Sequence, residues 1–160
     1  VLPDSIISFG SYSFQNCTSL TSVRLPNGLT DIYACSFEGA SSLATINNFT
    51  SRITAINAYA FRGTGLTSFD TLDGVTTIGN NAFASCTKLK TLRIGSAVKK
   101  IGTNVLTGTT NVSVTMAVTS GWVAATSATA TTGTALTFGA DGSANYTVFM
   151  NNKTSYINRP

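Results

Sequence analysis

The chain has 160 residues, only 10% of them charged, and ten Lys and Arg against six Asp and Glu give it a formal net charge of +4. It contains no histidine, the most common general base and metal ligand, and its three cysteines form no C-x-x-C pair, so the sequence supports no catalytic residue, metal site or cofactor. The charge is too low and too dispersed for a nucleic-acid-binding protein, and no apolar run reaches the roughly 18 residues that a membrane-spanning helix needs.

The polarity of the chain comes from hydroxyl and amide groups rather than from charge. Ser and Thr together number 45, whereas charged residues make up about a quarter of a typical soluble domain. This composition favours an extracellular or cell-surface protein, and we expect no enzymatic activity.

The first residues of the chain already belong to a repeat. Residues 1–9 align with residues 24–32, so that Leu2-Pro3 matches Leu25-Pro26. The chain is therefore expected to open in mid-repeat, without an amphipathic capping segment. Such an end exposes apolar side chains and unpaired strand edges, which we expect another surface to cover.

A tight turn that carries one large apolar residue recurs along the chain. The recurring residues are Phe14, Phe37, Phe61, Phe83 and Leu106, at intervals of 23, 24, 22 and 23 residues. A fixed period in the low twenties indicates a solenoid of stacked coils. Within each coil, the alternation at Val23-Arg24-Leu25 predicts a strand with its apolar residues inward, then a turn and a second short extended segment.

Two units depart from the period by one residue. The unit after Phe37 carries an extra residue around Asn48-Phe49-Thr50, and in the next unit Leu66 comes one residue early. We expect such changes in loops on one face, where they leave the stacked interior undisturbed.

Cysteine recurs at one position of the repeat, three residues after the aromatic anchor. Cys17 and Cys86 occupy this column. A small buried thiol suits a packed interior better than a reactive one, so we expect both side chains to be buried and inert.

The pattern changes after residue 111. Val112–Val118 alternates with period two, which predicts a strand that closes the solenoid. Trp122, the single tryptophan, is expected to plug the last coil. The Ala- and Thr-rich segment from 124 to 134 is either a linker or a strand.

Two further strand patterns follow this segment. Residues 134–138 and 145–150 flank a turn sequence at 139–143, which predicts a β-hairpin, and residues 151–160 form a polar tail. The predicted organisation is thus a solenoid over residues 1–118 and an Ala/Thr-rich segment with a hairpin and a polar tail over residues 119–160.

The repeat pattern resembles a known family. Ile-Gly-x-x-Ala-Phe-x-x-Cys-x-x-Leu-x-x-Leu-x-Ile, as it stands from Ile78 to Ile94, is similar to the BspA-type (Treponema-type) leucine-rich repeat, and the resemblance covers residues 1–112. It implies a right-handed leucine-rich-repeat solenoid, mainly β, with a parallel sheet on its concave face, here followed by a C-terminal β-rich segment. It also implies a surface or secreted protein similar to adhesins, and it brings no catalytic residues.

Two functions compete on these observations. The first is a structural subunit that associates end to end with copies of itself, as in a filament or surface layer, through its open first repeat and its C-terminal strands. The residues expected at these ends are Val1, Leu2, Ile6, Leu136, Phe138, Tyr146 and Val148.

The alternative is an adhesin-like module that binds another surface or matrix protein through the polar outward positions of the strands. The residues expected on this face are Arg24, Asn47, Asp70, Lys90 and Arg93. If the source glycosylates asparagine, the sequons at Asn16 and Asn152 are the best candidate sites, because they fall in a turn and in a polar tail.

Overall fold

The repeats fold as stacked coils with one longer and one shorter strand per coil. The computed structural model describes residues 2–125, 134–136, 138–139, 145 and 156–159. The longer strands are β1 (Ser22–Arg24), β3 (Thr45–Asn47), β5 (Ser68–Asp70), β7 (Thr91–Ile94) and β9 (Ser113–Met116). The shorter strands are β2 (Asp31–Ile32), β4 (Ala55–Ile56), β6 (Thr77–Ile78) and β8 (Lys100–Ile101).

The two sets of strands form two faces of the solenoid. On the long-strand face β1 pairs with β3, and β5 pairs with β7, which pairs with β9, all in parallel. On the short-strand face β2, β4, β6 and β8 form one parallel ladder. The predicted solenoid with parallel strands about one 23-residue repeat apart is therefore confirmed.

Side-chain alternation explains why these segments are strands. In β7, Leu92 and Ile94 point into the core while Thr91 is exposed. Each short strand likewise ends in a buried isoleucine: Ile32, Ile56, Ile78 and Ile101. Successive side chains of an extended chain alternate in direction, so such a pattern buries its apolar half only as a strand.

An aromatic column runs through the interior of the solenoid. The rings of Phe14 and Phe37 are stacked with centroids 5.2 Å apart, Phe37 and Phe61 at 5.6 Å, and Phe61 and Phe83 at 5.5 Å. Leu106 continues the column as a buried side chain. The predicted anchors therefore connect each coil to the next through their side chains.

The tight turns depend on residues with positive φ. Around Phe83, Asn81 and Ser85 have φ of 56° and 57°, and Gly39 has φ 71° at the Ser85 position two coils earlier. A β-carbon on Gly39 would lie 2.2 Å from Asn16 Oδ1. Glycine adopts this conformation without strain, and a side chain at this position would displace the Asn16 amide group of the neighbouring coil.

The small residues that follow each anchor make hydrogen bonds inside the core. The Cys86 thiol is fully buried and donates to the Phe61 carbonyl at 3.0 Å, and burial raises its pKa. The Thr109 hydroxyl donates to the Phe83 carbonyl at 2.7 Å in the same way. The Phe61 carbonyl also accepts from the Thr64 amide and hydroxyl, so the thiol and hydroxyl groups here serve mainly to link a carbonyl of one coil to a small side chain of the next.

The prediction of a buried thiol at Cys17 is wrong, because this side chain is exposed. Cys86 has a coil packed on each side, with Phe61 before it and Thr109 after it. Cys17 lies in the turn of the first coil, where the described residues supply a neighbouring coil on one side only.

The long-strand face is interrupted between β3 and β5. No hydrogen-bonded pairing joins these two strands in the part of the chain that the structure describes, although β4 and β6 of the same coils are paired. The extra residue falls after β3 and the missing one falls before β5. The expectation that these changes stay in the loops is therefore only partly met: the aromatic column remains in register, but the sheet opens.

Among the residues that the structure describes, the short-strand sheet continues beyond β8 through three antiparallel pairings. β10 (Trp122–Ala125) pairs antiparallel with β11 (Thr134–Leu136) and with β12 (Tyr156–Asn158). β12 also pairs antiparallel with β8, with Ile157 opposite Ile101. Part of the predicted polar tail is thus a strand that extends the short-strand sheet, with Ile157 and Asn158 buried.

Trp122 plugs the last coil as predicted. Its side chain is 1% exposed, its Nε1 donates to the Val118 carbonyl at 2.8 Å, and its ring meets Phe138 edge to face at 5.9 Å. The predicted hairpin partner at 145–150 lies outside the described residues except for Asn145, which is helical rather than extended. In the described part of the chain β11 pairs with β10 instead.

Candidate functional site

The outward residues predicted as a binding face lie together on the long-strand face. Arg24 is the register partner of Asn47, and Asp70 is the partner of Arg93. Lys90 is exposed just before β7 begins. Because these strands are paired with their neighbours and packed on the core, the side chains project from a rigid surface.

Ion pairs organise the charges of this face. Arg24 pairs with Asp4 at 2.7 Å, and this hydrogen bond lowers the pKa of the aspartate. Arg93 pairs with Asp70 at 3.0 Å and with Asp73 at 3.4 Å. Hydrogen bonds from the Ser96 amide and hydroxyl are the main reason that the pKa of Asp73 is lowered.

The interruption of the sheet creates a groove that sequence reasoning missed. We call it the strand opening; it has a cavity volume of about 430 Å³ and is lined by residues 44–49, 66–70 and 72. Its two sides, which we call the β3 bank and the β5 bank, are formed by residues 44–49 and by residues 66–70 and 72. Asn47 and Asp70, predicted as binding residues, lie on the β3 bank and the β5 bank. The signal that could have revealed it is the extra residue near Asn48 followed by the early Leu66.

The residues predicted to form the N-terminal assembly end lie at the first coil. Leu2 and Ile6 are half-buried, and Val1 lies outside the described residues. Two neighbours that were not predicted are the most exposed large apolar side chains of the described residues: Ile7 is 72% exposed and Tyr12 is 58% exposed.

The residues predicted to form the C-terminal assembly end are engaged within the chain. Leu136 is half-buried opposite Trp122 in the β10–β11 pair, and Phe138 is buried against the same tryptophan. Neither side chain is free for an intermolecular contact in this conformation. Tyr146 and Val148 lie outside the described residues.

Of the two candidate glycosylation sites, the structure describes one. Asn16 is exposed in a turn, with φ 56°. Asn152 lies outside the described residues.

A second polar cluster lies along the turns rather than on the sheet. Glu38 accepts hydrogen bonds from Arg62 and Gln15, each at 2.8 Å. Burial by itself would raise the pKa of Glu38, but these hydrogen bonds, led by that from Arg62, hold it below the ordinary value. The cluster ties three successive turns together and is structural.

Neither a metal centre nor a membrane span is found in the described part of the chain. No group of three or more His, Cys, Asp and Glu residues within the described ranges could hold a metal ion. The same residues include no helix with the length and apolar character to cross a membrane.

Comparisons with known proteins agree with the repeat pattern. A family model described as "BspA type Leucine rich repeat region" matches residues 1–113 in six copies. The resemblance inferred from the sequence is confirmed by this match. A search of curated proteins found no match.

Solved structures share the fold. The chain is similar to the leucine-rich repeat protein of T. pallidum, with 25% identity and a TM-score of 0.63, over 71% of this chain and 51% of that one. It is also similar to a leucine rich cell surface protein from Faecalibacterium prausnitzii (20% identity, TM-score 0.50, covering 67% and 44%) and to a leucine-rich repeat protein from Bacteroides ovatus (22%, 0.51, covering 68% and 34%). The chain therefore spans about half or less of the length of these proteins.

Proposed function

Because this chain belongs to the BspA-type leucine-rich repeat family, we propose that it is a non-enzymatic, protein-binding module of an extracellular or cell-surface protein. It engages its partner, another surface or matrix protein, through the long-strand face. One observation carries this proposal: the outward residues Arg24 and Asn47, and likewise Asp70 and Arg93, project from paired strand positions of two neighbouring parallel sheets on one face. The cell-surface description of the F. prausnitzii protein supports the location.

The chemistry of the face suits recognition of a protein. Side chains held on paired strands lose little freedom on binding, which lowers the entropic cost of association. Arginine is enriched among the residues that dominate binding energy, and Arg24 and Arg93 are both partly exposed on this face. Their present ion pairs are surface pairs, which contribute at most about 1 kcal/mol each and can be exchanged for pairs with a partner.

Binding to immobilised matrix proteins tests this function. The chain is passed over fibronectin, laminin and type IV collagen, and equilibrium binding is compared for the parent, R24A and R93A. The matched control is K99A, which removes an exposed basic side chain next to β8, on the short-strand face. We expect saturable binding to at least one matrix protein, weakened by about tenfold in each arginine variant and unchanged in the control. Equal losses in K99A and the arginine variants would refute recognition through this face.

End-to-end self-association is the second candidate, and the exposure of Ile7 and Tyr12 at the first coil favours it. The pairing of β12 with β8 within one chain weighs against the donation of this strand to a neighbour. Light scattering across a concentration series separates the two ideas. Polymers that disappear in I7K would support end-to-end contact, whereas a monomer at all concentrations would rule it out.

A further inference from the structure

We propose that the strand opening between β3 and β5 binds an extended segment of a partner polypeptide as an inserted parallel strand, with a basic side chain of that segment beside Asp70. This inference rests on the proposed protein-binding function and names the part of the long-strand face that recognises the partner's main chain.

The backbone groups of β5 are divided between β7 and the opening. Lys90 N–H donates to the Thr67 carbonyl and Thr71 N–H donates to the Arg93 carbonyl, so these groups of β5 face β7. Backbone groups alternate in direction along a strand. The N–H and C=O groups of Ser68 and Asp70 therefore face the opposite way, into the opening.

The other bank presents matching groups. Leu25 N–H donates to the Asn47 carbonyl, so Asn47 faces β1. By the same alternation the N–H and C=O groups of Ile46 face the opening. A parallel ladder would join Ile46 to Ser68 and Asp70, and no such bond is present between these described strands. Two facing strand edges with free donors and acceptors are the template that strand addition uses.

Each bank makes side-chain contacts with the coil on its far side from the opening. On the β3 side, the Asn48 side-chain amide donates to the Leu25 carbonyl at 2.8 Å and to Asn27 Oδ1 at 2.9 Å, which ties the end of β3 to the preceding coil. On the β5 side, Asp70 is bound by Arg93 of the following coil. Each bank is thus fixed to its outer neighbour, and the opening is part of the fold.

Apolar side chains line the base of the opening. Phe49, next to the inserted residue, packs edge to face on Phe69 at 5.0 Å, and Phe69 in turn contacts the aromatic column through Phe61. Ile46 is half-buried beside them. A bound strand alternates its side chains, so small apolar residues would face this base while its polar residues face solvent.

The charge of the opening specifies the occupant. Asp70 is the one charged residue among those that line it, and Asp70 and Asp73 share the single guanidinium group of Arg93. Arg93 therefore compensates the charge of Asp70 only in part. A lysine or arginine on the solvent side of the bound strand complements it, which gives the site its sequence preference.

The test uses the synthetic heptapeptide Val-Thr-Val-Lys-Val-Thr-Val, capped at both ends, in which lysine takes a threonine position on the solvent side. The comparison peptides carry central glutamate, or N-methyl groups on alternate amides. Binding is measured by fluorescence anisotropy against the full chain. We expect saturable binding of the lysine peptide, about tenfold weaker binding of the glutamate peptide, and no binding of the N-methylated peptide, because N-methylation removes main-chain donors.

Variants locate the site. D70N should remove most of the preference for lysine over glutamate, whereas D4N, the control, should not, because Asp4 is an arginine-paired aspartate beside β1. S68P removes an N–H that faces the opening without touching the bonds to β7, and it should abolish peptide binding. Hydrogen exchange should slow at Ile46, Ser68 and Asp70 when the lysine peptide binds.

Three results would overturn the proposal: no saturable binding of the lysine peptide, equal effects of D70N and D4N, or protection outside the opening. Slowed exchange at Ile46, Ser68 and Asp70 that appears without peptide as protein concentration rises would identify a second copy of this chain as the occupant, and would also overturn it. The matrix-protein assay with R24A is a separate test, because Arg24 does not line the opening, so binding there without peptide binding would refute the strand insertion while leaving the proposed function intact.

Discussion

Replacement of Phe61 by alanine tests whether the aromatic column holds neighbouring coils together. The Phe61 side chain is fully buried at the centre of the column. Its ring lies 5.6 Å from Phe37, 5.5 Å from Phe83 and 5.0 Å from Phe69, measured between centroids. The substitution therefore removes contacts to the coil on either side and to its own coil at once.

The expected loss in the free energy of unfolding follows from these contacts. Truncation of a buried phenylalanine to alanine costs about 3–5 kcal/mol through lost burial and the cavity left behind. Each aromatic pair adds about 0.5–1.5 kcal/mol beyond its buried area, and Phe61 has three such partners. We therefore expect a loss near the upper end, about 4–5 kcal/mol, for F61A. F61L keeps much of the apolar volume and should cost about 1–2 kcal/mol.

Urea unfolding followed by circular dichroism measures this loss, and the fluorescence of Trp122 reports separately on the C-terminal end. The control is F14A, because Phe14 is half-exposed and stacks on the column only through Phe37, with a further edge contact to Phe9. It should lose about 1–2 kcal/mol. A loss below 1 kcal/mol in F61A, or equal losses in F61A and F14A, would refute the idea that the central rings couple the coils.

Three further changes test the turns. E38Q should lower the free energy of unfolding at pH 7, because hydrogen bonds from Arg62 and others keep the pKa of Glu38 below its ordinary value of 4.5. A carboxylate with a lowered pKa stabilises the fold while it is ionised, so the difference from the parent should vanish as the pH falls through the lowered pKa. A difference undiminished at pH 3 would contradict this. T109V should lose about 1–3 kcal/mol in urea unfolding because it leaves the buried Phe83 carbonyl without its donor, whereas T109S should lose less; equal losses would indicate a packing effect. S85G should gain about 0.5–1 kcal/mol, since Ser85 has φ 57° where three of the four equivalent turns carry glycine, and a lower melting temperature would count against it.

The repeat could be predicted from the sequence because every coil buries the same positions. Ile78, Ala82, Phe83 and Leu89 are all buried, as their recurrence in phase indicates. Each coil buries its side chain at the same position of the repeat, so the weak sequence patterns of the single coils add up to one strong signal. The family and the parallel strands follow from the same pattern.

The repeat pattern does not show where in the stack of coils a residue lies, and burial depends on that place. Cys17 and Cys86 occupy the same column, yet only Cys86 is buried, because burial depends on having a coil on both sides. The pairing of β12 with β8 was missed for a related reason. It joins residues more than fifty positions apart in antiparallel order, and no periodic pattern marks Ile157 as the partner of Ile101.

The strand opening was missed because its cause is divided between two coils. The loop from β3 to β4 is one residue longer than the equivalent loop from β1 to β2, and the segment from Phe61 to β5 is one residue shorter than that from Phe37 to β3. The sequence shows both changes. The hydrogen bonds of Asn48 that fix the β3 bank become visible only in three dimensions.

The two length changes compensate each other, and this explains how a sheet can open without disrupting the solenoid. The anchor intervals of 24 and then 22 residues sum to two ordinary periods, so the rings of Phe37, Phe61 and Phe83 stay stacked and β4 stays paired with β6. The misfit is confined to the one interface that lies between the insertion and the deletion. An uncompensated residue would shift every later coil, whereas a compensated pair concentrates its effect between Asn47 and Ser68, in the middle of the face that carries the exposed arginines.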